Sequence, residues 1–168
     1  VCDHYGSGYF YIPEYYIDKA KEELNVYYAY STHGSQVIAG LQNMEYNNSW
    51  WNWQGHHGSL VNNPQSLDVL TSTSYIPGSG FGQGPGGMNA TRDVLDANPN
   101  INVAIWSWCD DLHWYSAPEV DAYLAAMAQL ETEYPNVVFV YMTGHAQAWS
   151  GHHTYTSGSQ GWNRYQRN

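Results

Sequence analysis

A chain of 168 residues with 43% hydrophobic content is long enough for one domain with a substantial core and short for two. Its 5 Lys+Arg against 15 Asp+Glu leave a formal charge of −10, which repels a phosphate backbone and argues against a nucleic-acid partner. No apolar run approaches the roughly eighteen residues of a membrane span, so no membrane segment is expected.

The N-terminal Val1-Cys2-Asp3 has neither an initiator Met nor a signal peptide and reads as processed or trimmed. The first helix is signalled by "IPEYYIDKAKEEL", with Pro13 in the first turn and Ile12, Tyr16, Ala20 and Leu24 on one stripe. It runs into "NVYYAYS", a nearly unbroken apolar segment of the kind buried on both faces of a sheet. Residues 34 to 44 return to the helical period, with Val37, Ile38, Leu41 and Met44 on one side.

"NNSWWNWQGHHGS" and "IPGSGFGQGPGGMN" read as two long loops rich in turn formers. A short helix, "ATRDVLDAN", precedes a second strand, "INVAIWSW". The segment "SAPEVDAYLAAMAQLETEYP" carries a capping box of Ser116 and Glu119, a stripe of Val120, Tyr123, Leu124, Met127 and Tyr134, and a stop at Pro135. A third strand, "NVVFVYMT", follows. Strands alternating with helices imply βαβ units and a parallel sheet covered on both faces.

In such a sheet ligands bind outside the carboxyl ends of the strands. Residues following the three strands are Ser31 to Ser35, then Cys109, Asp110, Asp111 and His113, then Thr143, Gly144 and His145. A hydroxyl, carboxylates and imidazoles on one edge are the groups that nucleophilic acyl transfer needs. Gly34 would permit a tight turn, and the N–H groups opening the next helix would support an oxyanion.

Each of these residues also has a plain structural reading. Ser35 at a helix start suits an N-cap, His145 suits a structural histidine, and Asp111 suits a solvated loop. Trp50, Trp51 and Trp53 suit packing as well as a stacking platform for sugars. His33, His145, Asp110 and Asp111 leave a metal site open as an alternative, although neither they nor His56-His57 and His152-His153 match a metal-binding spacing. Cys2 and Cys109 match no zinc spacing and allow either one disulfide or free thiols. The sequons at Asn47 and Asn89 matter where the source glycosylates.

The blocks "DHYGSGYFYIPEYYIDKAKEELNVYYAYSTHGSQVIAGL", "INVAIWSWC" and "YLAAMAQLETEYPNVVFVYMTGHA" resemble, in that order and over most of the chain, a group of secreted bacterial SGNH or GDSL-like hydrolases. The resemblance implies a three-layer α/β/α sandwich with a mainly parallel, flavodoxin-like sheet. It also implies ester hydrolysis, often of acetyl groups on carbohydrate. "HGSQ" stands where Gly-Asp-Ser-Leu is usual, so Ser35 matches the nucleophile while His33 and Gln36 depart from the pattern. "SWCDD" stands where Gly-x-Asn-Asp is usual and has no Asn for the oxyanion hole. The usual C-terminal Asp-x-x-His has no match before Asn168, so residues 1–168 are expected to form a single SGNH-like domain that is C-terminally trimmed or lacks that block.

The expected function is a secreted serine esterase or carbohydrate deacetylase, extracellular or periplasmic, that uses neither metal nor cofactor. Ser35 is the expected nucleophile, His145 the base and Asp110 or Asp111 its orienter. His33, Gly34, Gln36, Trp108 and His113 are the expected substrate contacts. The alternative is an inactive extracellular domain that binds carbohydrate or joins a homo-oligomer or larger assembly, which the 16 Tyr and 8 Trp set among Asn, Gly and Ser also fit.

Overall fold

Four consecutive buried residues, Val26 to Ala29, define the middle strand of the molecule. Their side chains alternate between two cores, which is what a strand covered on both faces requires. The computed structural model describes residues 8, 11–30, 32–56, 65–72, 86–107 and 117–142. Helix α1 (Glu14–Glu23) leads into β1 (Asn25–Tyr30), and a 3-10 turn (Thr32–Gly34) into α2 (Ser35–Asn47). A second 3-10 turn (Ser49–Trp51) precedes β2 (Trp53–His56) and β3 (Leu67–Ser72). Then come α3 (Gly86–Ala97), β4 (Val103–Ser107), α4 (Ala117–Glu133) and β5 (Val138–Val140).

The five strands form one sheet in the order β2-β3-β1-β4-β5, and every pairing is parallel. Without the short edge strand β2, this is the strand order of a flavodoxin-like, doubly wound sheet. Tyr27, Ala29, Leu70, Ala104, Trp106 and Phe139 face α3 and α4, which contribute Leu95, Tyr123, Ala126, Met127 and Leu130. Val26, Tyr28 and Val69 face the other way, with Ile38 of α2 packed on them. The result is the expected α/β sandwich with helices on both faces.

Asn102 fixes the amino-terminal edge. Its Oδ1 accepts from the Asn25 N–H at 2.9 Å, and its Nδ2 donates to the Glu23 carbonyl at 2.6 Å. Its own N–H reaches Asn25 O and its carbonyl accepts from Val138 N–H, so one residue joins the end of α1 to three strands.

Several local expectations need correction. Pro13 is the cap before α1 rather than part of its first turn, and the stripe through Ile12 and Tyr16 is exposed. The buried side chain of α1 is Lys21, whose ammonium donates to the Trp50 carbonyl and lies 4.7 Å from the Trp50 ring centre. "NNSWWNWQGHHGS" contains a 3-10 turn and β2 instead of being loop throughout, and α3 starts at Gly86, inside the glycine-rich segment expected as loop. In α4 the buried line runs through Tyr123, Ala126, Met127 and Leu130, while Leu124 is 45% exposed. Ser116 of the expected capping box lies outside the described residues. No helix among the described residues is long and apolar enough to cross a membrane.

Candidate functional site at the β1–β4 crevice

The connection leaving β1 runs toward β2 and β3, whereas the one leaving β4 runs toward β5. Connections that part in this way open a crevice outside the carboxyl ends of the two strands, the place where doubly wound sheets bind ligands. Tyr30 and Ser107 are paired in register there, so the turn carrying His33 and Gly34, with Ser35 opening α2 behind it, follows β1 at this edge.

Gly34 explains how the turn is held. A Cβ at this position would lie 2.5 Å from Tyr30 Cβ and 2.7 Å from both Cβ and Oγ of Ser107. Its backbone is ordinary helix, with φ −64° and ψ −22°, so the glycine is required for space rather than for conformation. This corrects the expectation that a tight turn needs it. Tyr28 supports the same turn from below, its hydroxyl donating to the Gly34 carbonyl at 3.0 Å. Burial pushes the Tyr28 phenol above its ordinary pKa, and a hydrogen bond with Ser107 opposes that shift only in part. Tyr28 therefore stays protonated and remains a donor through neutral pH.

Ser35 is the first residue of α2 and is exposed. The cap position falls on Gly34, which has no side chain, so the N-cap reading of Ser35 does not hold. Gln36 is exposed beside it, and His33 is half-buried two residues earlier. Trp108, Asp110, Asp111, His113 and His145 all lie outside the described residues, as does Cys109. His33, Gly34, Ser35 and Gln36 are successive residues of the 3-10 turn and the start of α2 that follow β1. Among the described residues no three His, Cys, Asp or Glu side chains group as a metal ion would require.

Helix α2 covers its face of the sheet loosely, with Ile38 packed on it. None of its residues is fully buried, and a groove of about 700 Å³ runs beneath it, bordered by Tyr28, Val37, Ile38, Ile105 and Val140. Two contributors to the site, Tyr28 and Ser107, escaped the sequence reading. Their signal is present in "NVYYAYS" and "AIWSW": a phenol two residues before the strand end, and a small residue at the end of the neighbouring strand. No family model, curated protein or solved structure matches this chain.

Proposed function

We propose that the chain is a secreted serine ester hydrolase of the SGNH kind, acting on acetylated carbohydrate outside the cytoplasm. The observation that carries this reading is the position of Ser35. It is exposed on the first turn of a helix, at the switch point of a parallel sheet, and the turn before it is wedged against β4 through Gly34 and Ser107.

In this mechanism the Ser35 Oγ attacks the ester carbonyl carbon while its proton passes to the His145 imidazole. Asp110 or Asp111 orients that imidazole and stabilises its charged form. The oxyanion gains from the positive end of the α2 dipole. Collapse of the adduct breaks the carbon–oxygen bond to the sugar, and the alkoxide takes the proton from His145. Water, deprotonated by the same imidazole, then attacks the acyl-serine and releases the acid with the serine restored. Release of acetate from acetylated xylan by the wild-type chain, lost in Ser35→Ala and in His145→Ala, is the expected result. Equal release by wild type and Ser35→Ala would overturn it.

A second reading has its own support in the described residues. Tyr11 and Tyr46 are 89% and 90% exposed, and Tyr15 and Tyr16 form an exposed edge-on pair. Such a surface suits an extracellular domain that binds carbohydrate or assembles without hydrolysis.

A further inference from the structure

The carboxyl end of α2 carries a second cleft, remote from Ser35. It has a volume of about 800 Å³, is open to solvent, and is bordered by Ile12, Glu14, Asn43, Asn47, Trp50 and Trp51. Ser35 and Asn47 are the two ends of α2, about 18 Å apart along its axis at 1.5 Å per residue.

The two indoles are fixed in place before any ligand arrives. Their rings meet edge to face, 4.6 Å between centres and 67° between planes. The turn that carries them is held through its backbone: the Asn48 Oδ1 accepts from the Trp50 backbone N–H at 3.0 Å, and the Asn48 carbonyl accepts from the Trp51 backbone N–H at 2.9 Å. Lys21, itself buried, holds Trp50 through both its carbonyl and its ring. A rigid aromatic surface loses little entropy on binding.

Polar groups border the same cleft. The Asn47 Nδ2 donates to the carbonyl and Oδ1 of Asn43. That pairing leaves the Asn43 Nδ2 as donor and the Asn47 Oδ1 as acceptor for other partners. Glu14 adds an acceptor-only carboxylate. None of the bordering residues is basic, so an anionic ligand meets no counter-charge. Gly40 also borders the cleft, and a Cβ there would meet nothing within 4 Å, so the helix is bare where a ligand would lie.

We propose that this cleft is a binding site for a neutral saccharide, whose C–H faces lie on Trp50 and Trp51 while its hydroxyls bond to Asn43, Asn47 and Glu14. Indole surface combined with a few amide and carboxylate groups matches a polyhydroxylated ring in both of its aspects. The site does not depend on Ser35. If Ser35 is a nucleophile, a polymeric chain lying along α2 reaches both ends, and the cleft positions the polymer for the crevice.

The test is calorimetric titration of the full chain with cellohexaose, xylohexaose, mannohexaose and chitohexaose, with tryptophan emission followed in parallel. At least one sugar is expected to bind saturably and to change the emission. Gly40→Phe, whose Cβ enters open space and whose ring occupies the cleft, and Asn47→Ala, on an exposed position, are each expected to weaken that binding by roughly tenfold or more with the fold retained by circular dichroism. Ser35→Ala is expected to bind as wild type does. Failure of every sugar to bind, or wild-type affinity in both Gly40→Phe and Asn47→Ala, would overturn the proposal. Sugar binding by a chain whose Ser35 proves unreactive sinks the esterase reading and leaves this site standing.

Discussion

Gly34 and Ser107 meet so closely that no side chain fits between them: a Cβ on residue 34 would lie 2.7 Å from the Ser107 Oγ. The contact joins the turn after β1 to the last residue of β4, and thereby sets where Ser35 stands over the crevice.

Gly34→Ala tests that contact. The added methyl must push back Tyr30 or Ser107, both at strand ends, and overpacking of this kind costs about 1–3 kcal/mol. Urea denaturation is expected to show that loss, and the turn is expected to shift enough to slow any reaction at Ser35. The pair Gly34→Ala with Ser107→Gly should recover part of both, since the second change removes two of the three clashing atoms. Wild-type stability in the single variant contradicts the contact.

Asn102→Ala removes two side-chain hydrogen bonds at the opposite edge of the sheet, to Asn25 N–H and to the Glu23 carbonyl. The expected loss is about 1–2 kcal/mol, carried by the half-buried Asn25 N–H that loses its acceptor, since the exposed Glu23 carbonyl turns to water. A lower urea midpoint at unchanged slope is the expected signature. Asn102→Asp keeps the acceptor for Asn25 but not the donor for Glu23, and should fall between the two.

Tyr134 gives a prediction in alkali. Burial first, then its hydrogen bond to the Asp96 carboxylate at 2.8 Å, raises its phenol to about 12. The fold therefore favours the neutral phenol. Its contribution is whole below the ordinary tyrosine value near 10 and is lost as pH rises toward about 12. Tyr141 is raised to about 12 as well, by burial and by its bond to Glu131. A phenolate absorbance titration of wild type minus Tyr134→Phe isolates one group, which should titrate near 12. Titration of that group near 10 contradicts the assigned contact.

Strands β1, β4 and β5 are legible as short apolar runs, and helices α2 and α4 as apolar residues at helical spacing. Strand β3 is not, because its inner stretch carries Asp68 and Thr71, both buried, which break an apolar run into something that reads as loop. Strand β2 is four residues long, contains Gly55 and lies on the sheet edge, so neither length nor composition marks it. The stripe of α1 misled because this helix turns Lys21 inward onto Trp50, a cation–aromatic contact that no apolar periodicity encodes.

The position of Ser35 followed from the sequence, since the strand-end rule needs only the location of β1. The reason for Gly34 did not. It rests on the closeness of β4, a neighbour separated from β1 by more than seventy residues of chain, and no local pattern reveals that approach. The cleft beside Trp50 and Trp51 was equally hidden, because its walls come from the start of α1 and the end of α2.

The central claim is that Ser35 is a nucleophile. Incubation of the folded, full-length chain with a fluorophosphonate, followed by mass spectrometry of its peptides, tests it most directly. One label on the peptide bearing Ser35, and none in Ser35→Ala, is the expected result. A folded wild-type chain that takes up no label would contradict it.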